Sequence, residues 1–237
     1  MTETKIPKVL HYCWFGGNPK PDLVLKCIES WKKVMPDYEI KEWNESNFDV
    51  NYNNYTQKAY KEKKWAFVSD VARLVALKEC GGIYLDTDMY VLKNLDPFLV
   101  LEAFLGKEDD KNISAAIYAT KKDNIFLKDL LETYAKERSN FETIPRIMTE
   151  LYYKNRDKYS NVKVFDKKYF YPFSQENIKK FNYKNAPQES YAVHLWNYSW
   201  GNPLNKFIKK IGLHRSIKNF TEKLGIKDKI KKLFKVT

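Results

Sequence analysis

The sequence predicts an α/β fold, and three observations carry that prediction. The first is the opening. Lys8 to Phe15 is a short apolar run bounded by Pro7 and Gly16-Gly17, a strand by composition and punctuation. Pro21 to Val34 follows with Leu23, Cys27, Ile28, Trp31 and Val34 at helical spacing, and Tyr38 to Trp43 alternates as a second strand. The second is Trp65 to Cys80, WAFVSDVARLVALKEC, which is apolar on almost every side and so predicts a helix inside a core. The third is the passage from that helix through Gly81-Gly82 into Ile83 to Leu92, IYLDTDMYVL, read as one strand. Glycine tolerates the left-handed conformation with which helices commonly end.

The remaining elements follow in order. Asn44 to Tyr60 is polar and rich in Asn and Tyr, a loop leading into a helix. Asp96-Pro97 marks a turn, and Ala115 to Ala119 a short strand. Asp123 or Asn124 caps a helix running to about Arg138, and Thr143 to Tyr153 forms another. Val162 to Phe165 and Tyr169 to Phe173 read as edge strands or ordered loop. Two regions are expected, a body over residues 1–203 and a basic helical tail over 204–237.

Composition narrows the classes. The chain has 237 residues, enough for one sizeable core, with 43% hydrophobic and 30% charged residues, the mix of a globular protein. No run approaches the ~20 apolar residues of a membrane span, and MTETKIPKVL lacks a signal-peptide core. A cytoplasmic location is therefore expected. Cys13, Cys27 and Cys80 show no ligand spacing and read as reduced thiols. The net charge of +12 is concentrated in the tail, where eleven lysines and arginines face only Glu222 and Asp228. The body is nearly balanced, so no nucleic-acid partner is expected.

The chemistry-bearing residues lie in two places. Asp70 and Arg73 sit three apart on the apolar helix, with Ser69 beside them. Burying such charges costs several kcal/mol each unless they pair or meet a ligand. Both readings stand: a structural ion pair, or a polar site. Asp86 and Asp88 flank Thr87, and two carboxylates about 5 Å apart at an effective dielectric of ~20 repel by roughly 3 kcal/mol. A divalent cation on a polyphosphate relieves that repulsion. A solvated turn is the bland alternative. Gly16-Gly17 suits either a close approach to a nucleotide or a plain turn.

IPKVLHYCWFGG, WAFVSDVARLVALKECGGIYLDTDMYVL and HLWNYSW, in that order, resemble glycosyltransferase family 32 and, more remotely, the glucosylating domains of large clostridial toxins. The resemblance covers about residues 5 to 200. It implies a GT-A fold, Rossmann-like, binding a nucleotide-sugar donor, with Mn²⁺ or Mg²⁺ held by the D-x-D. It implies Asp88 as the direct metal ligand and Asp86 on ribose or sugar hydroxyls or on the metal through water. Asp70 and Arg73 match positions that contact the donor sugar, and Tyr84 one that lines its pocket. His194 and Asn197 are candidate metal ligands, and Ser199 and Trp200 candidate diphosphate contacts. Trp196 is a core or lid aromatic. Family members retain anomeric configuration, which implies front-face attack by the acceptor. A UDP-hexose donor and a saccharide or lipid-linked acceptor, as in capsule-type polysaccharide synthesis, are expected.

Two rivals stand beside this reading. An aspartyl-phosphate phosphatase would use Asp86 as nucleophile, but its acidic triplet belongs on the opening strand. A basic membrane- or nucleic-acid-binding module would explain the tail and leave the buried charges without purpose. In the tail, Ile217, Phe220 and Leu224, then Ile226, Ile230, Leu233 and Phe234, form apolar stripes among lysines. That pattern fits a helix lying on an anionic membrane face, or a stripe packed on the body.

Overall fold

In the computed structural model, residues 5–136, 141–182 and 184–197 are described. Ser199, Trp200 and the basic tail lie outside them. A six-stranded mixed sheet forms the centre, in the order β2-β1-β3-β6-β5-β7, from β1 (Val9–Cys13), β2 (Glu39–Trp43), β3 (Gly82–Leu85), β5 (Ala103–Lys107), β6 (Ile113–Thr120) and β7 (Val162–Phe165). β1 runs parallel to β2 and β3, and β5 parallel to β7, while β6 is antiparallel to both its neighbours. A separate antiparallel ribbon pairs β4 (Met89–Val91) with β8 (Ala192–His194).

The helices are α1 (Asp22–Val34), α2 (Asn54–Lys61), α3 (Trp65–Cys80), α4 (Ile125–Ala135), α5 (Ile144–Lys154) and the single turn α6 (Lys167–Phe170). Alternation along the strands divides the core. Tyr84 and Tyr118 face the cluster built with α3, α4 and α5, whereas Leu10, Ile83 and Leu85 face the cluster of α1, α6 and the ribbon. α3 is buried on nearly every side, as its composition requires. Asn124 caps α4 by accepting from the N–H groups of Phe126 and Leu127.

Gly81 and Gly82 make the turn from α3 into β3 with φ of 65° and 106°. A Cβ on Gly82 would lie 2.5 Å from the carbonyl oxygen of Val9, so only glycine lets β3 close on β1. His11 locks the same corner. Trp43 donates its indole N–H to His11 Nδ1 at 3.1 Å, and His11 Nε2–H then donates to the Gly81 carbonyl at 2.8 Å.

Two expectations are corrected, and one strand was missed. The strand expected over Ile83 to Leu92 is two strands in two different sheets, parted by a turn at Asp86-Thr87-Asp88. Apolar runs on both sides of the acidic triplet hid the change of sheet. The aromatic stretch after Asp166 begins as a helical turn, because the Asp166 carboxylate accepts from Lys168 N–H and starts α6. β5 was not anticipated, since AFLGK is too short and too glycine-interrupted to announce a strand. Val162–Phe165 is an edge strand, as expected.

Candidate active site

The two aspartates of the D-x-D are held from opposite sides. Asp86 belongs to the main sheet: its N–H donates to Ala116 O at 2.8 Å. Its Oδ1 lies 3.2 Å from Arg73 Nη1 and accepts from Tyr84 Oη at 2.9 Å. Asp88 belongs to the ribbon. Its Oδ1 meets His194 Nε2 at 3.1 Å, its Oδ2 accepts from the Asn197 N–H at 2.7 Å, and its carbonyl accepts from Leu195 N–H. Asp86, Asp88 and His194 each offer a ligand atom within 4.8 Å of the others.

Arg73 lies beneath this group. Its Nη2 donates to Asp70 Oδ1 at 3.0 Å, Nη1 to Ala115 O at 2.9 Å and Nε to Ser69 O at 3.2 Å. Its guanidinium carbon sits 4.5 Å above the Tyr84 ring. Asp70 and Arg73 are each only 5% exposed, so this is a buried ion pair shared with a second carboxylate. Burial pushes the Asp70 carboxyl up to about 7; Arg73 opposes that rise, while the Asp86 charge adds to it. The Ile144 N–H, at the first turn of α5, also turns toward Asp70 and steadies its charged form. Burial works against the Arg73 charge, but Tyr84, Asp86 and Asp70 hold it firmly protonated.

His194 sits between two rings, with Trp196 at 4.3 Å and Tyr171 at 5.6 Å between centroids. Burial alone would lower its pKa, but the charge and hydrogen bond of Asp88, with lesser help from Asp86 and Glu108, raise it. Trp196 adopts φ of 54°, left-handed for a bulky residue, while its indole N–H donates to Phe173 O at 2.9 Å. Strain of this kind gathers at binding sites.

The structure thus brings together Asp70, Arg73, Tyr84, Asp86, Asp88, His194 and Asn197. Asn197, a candidate metal ligand in the sequence, meets Asp88 here through its backbone N–H. Ser199 and Trp200 lie outside the described residues. Sequence reasoning missed the floor of the site, the middle of β6. There Ala115 O holds Arg73, Ala116 O holds Asp86, and Ile117 N–H donates to Tyr171 Oη at 3.1 Å. It also missed Glu108 and Tyr171, which no local pattern marks. Among the described residues no helix is long and apolar enough to cross a membrane.

The donor set suits a hard divalent ion: two carboxylates and an imidazole, with one imidazole nitrogen buried and unpartnered. Comparison with known proteins agrees with this geometry. A family model described as a glycosyltransferase sugar-binding region containing the DXD motif matches residues 21–105. A second, described as an alpha 1,4-glycosyltransferase conserved region, matches residues 124–216. The uncharacterized glycosyltransferase L373 of Acanthamoeba polyphaga mimivirus is 26% identical over 217 residues, covering 82% of this chain and 84% of its own. Lactosylceramide 4-alpha-galactosyltransferase of Mus musculus is 29% identical over 152 residues, 55% of this chain and 40% of its own. The chain therefore spans less than half the length of that mammalian relative. Among solved structures, the PaToxG glycosyltransferase superposes with a TM-score of 0.52 at 20% identity, over 65% of this chain and 72% of its own.

The fold is that of a GT-A glycosyltransferase. The resemblance to glycosyltransferase family 32 is borne out along both halves of the chain, and the chain is a family-32-like relative of the D-x-D sugar transferases.

Proposed function

We propose that this chain transfers a hexose from a nucleotide-sugar, a UDP-hexose first among candidates, to a hydroxyl of a saccharide or glycolipid acceptor. The observation that carries the reading is the convergence of Asp86, Asp88 and His194 within 4.8 Å beside the buried Asp70–Arg73 pair. Asp88, Asp86 and His194 would hold Mn²⁺ or Mg²⁺, which when bound neutralises the donor diphosphate and eases its departure. Asp70, held by Arg73 and the Ile144 N–H, would accept from donor-sugar hydroxyls. Arg73 gives most of its donors to Ser69, Asp70, Asp86 and Ala115, so its chief part is to hold the two carboxylates in place. Tyr84 steadies Asp86 through its hydroxyl.

Retention is the stereochemical outcome we favour, with support from the 4-alpha linkage in the mammalian relative's name. A place on the cytoplasmic membrane face is also proposed, because the lysine-rich, apolar-striped tail would draw the enzyme to a lipid-linked acceptor. The test is nucleoside diphosphate release from UDP-galactose, UDP-glucose, UDP-N-acetylglucosamine and GDP-mannose, with Mn²⁺ and with excess chelator. Release from one donor that stops with chelator is expected. Undiminished release in chelator sinks the metal, and no release from any donor sinks the transferase reading.

A further inference from the structure

His194 leaves one nitrogen unexplained. Its Nε2 meets Asp88, but its Nδ1 is buried and has no hydrogen-bond partner. An imidazole that ligates an ion through one nitrogen carries its proton on the other, and that N–H nearly always finds an acceptor. Left alone in a buried place, that N–H gives up its bond to water and gains none in return. The rings of Trp196 and Tyr171 flank the imidazole but offer no strong acceptor.

A carboxylate is carried toward this place by the β5–β6 hairpin. Gly106 pairs with Ser114 and Lys107 with Ile113, and the Glu108 N–H donates to Asn112 O at 3.0 Å, extending the ladder by one step. Strand alternation therefore puts Gly106, Glu108 and Ser114 on one face. That face meets Tyr171: a Cβ on Gly106 would lie 2.7 Å from its ring, so glycine is what lets the ring in. Tyr171 in turn packs edge-on against His194. Glu108 engages the Ser114 hydroxyl, and its charge and that of His194 act on one another. Among the described residues Glu108 forms no ion pair within 4.0 Å, so no cation claims it. Its carboxyl is raised, by burial first and by Asp109 second.

We propose that Glu108 is a positioning residue of the metal centre, its carboxylate turning to accept the Nδ1–H of His194 when Nε2 faces a divalent ion. The carboxylate fixes the tautomer and aims the ring, and both raise the ring's basicity as a ligand. This inference rests on the metal reading above.

The test is Mn²⁺ affinity, read from the signal of free Mn²⁺ by electron paramagnetic resonance, with and without UDP. Wild type, Glu108→Gln, Glu108→Asp and Asp88→Asn are compared, each first checked for an unchanged melting temperature. Glu108→Gln is expected to bind Mn²⁺ about tenfold more weakly, with Glu108→Asp recovering part of the loss. With Mg²⁺ in place of Mn²⁺, the Nδ1–H signal of His194 by nitrogen-15 NMR should move in Glu108→Gln. Affinity equal to wild type in Glu108→Gln, with Asp88→Asn impaired, overturns the role of Glu108 and leaves the metal reading standing. Wild type no tighter than Asp88→Asn overturns the metal reading and this inference with it.

Discussion

Replacing Arg73 by Met tests whether the floor of the site is a structural debt or a neutral decoration. The side chains of Arg73 and Asp70 are 6% and 7% exposed, so water cannot replace the guanidinium. The substitution takes the guanidinium away from the Asp70 carboxyl and from the carbonyls of Ser69 and Ala115, while Asp86 Oδ1 keeps its bond from Tyr84 Oη. Removing one partner of a buried ion pair costs about 3–5 kcal/mol. In a chain of this size 1 kcal/mol shifts the melting temperature by roughly 2–4 °C, so a fall of about 10 °C is expected. The loss should depend on pH. Asp70 already titrates near 7 in the folded protein, above its ordinary value of 3.8, and loses its main counter-charge in the variant. A carboxyl raised in the folded state adds stability at low pH that is lost as pH rises toward the folded pKa. Arg73→Met should therefore be closer to wild type at pH 5 than at pH 8. Adding Asp70→Asn should recover part of the loss at pH 8 by removing the stranded charge. Urea unfolding at both pH values reads all three effects. A loss below about 1 kcal/mol at both, or a double variant no more stable than the single, would refute the coupling.

Asp88→Asn should abolish Mn²⁺-supported donor turnover with little change in melting temperature; retained turnover in Mn²⁺ would remove Asp88 from the metal set. His11 is held neutral, its pKa lowered to about 4 chiefly by burial. The unfolded chain takes up that proton near 6.5, so stability should fall by roughly 3 kcal/mol as pH drops from 6.5 to 4; His11→Asn should flatten this limb, and an unchanged slope would disprove the assignment. Removing residues 205–237 should abolish salt-sensitive binding to anionic vesicles and leave donor hydrolysis in place; vesicle binding that survives truncation would sink the tail's role.

The helical part of the fold was legible because its signals are local. The composition of α3 declares burial, Asn124 declares a cap, and Gly81-Gly82 declare the turn into β3. The six-stranded order was not legible, since β6 inserts antiparallel between β3 and β5 for reasons of packing that no single strand carries. The site divides in the same way. Asp70, Arg73, Asp86 and Asp88 were found because buried-looking charges in apolar runs stand out. Glu108 and Tyr171 stand in ordinary surroundings, and only the hairpin register and α6 bring them to His194.

The break in the D-x-D gives the site its working asymmetry. With ligand oxygens within 4.8 Å of one another, two carboxylates at an effective dielectric of ~20 repel by roughly 3 kcal/mol or more. Each has its own positive neighbour, Arg73 for Asp86 and a proton-favouring His194 for Asp88. The two neighbours are not equally fixed. Arg73 is tied to Ser69, Asp70 and Ala115 as well and cannot leave without stranding them. His194 is tied to one carboxylate, on a three-residue strand at the end of a two-stranded ribbon, and keeps a nitrogen free. A divalent ion bound here would therefore have one firmly tied neighbour and one held by fewer contacts. Asp86 is held by the main sheet, while Asp88 and His194 are held on the ribbon, and these three side chains would be the ones to hold the ion.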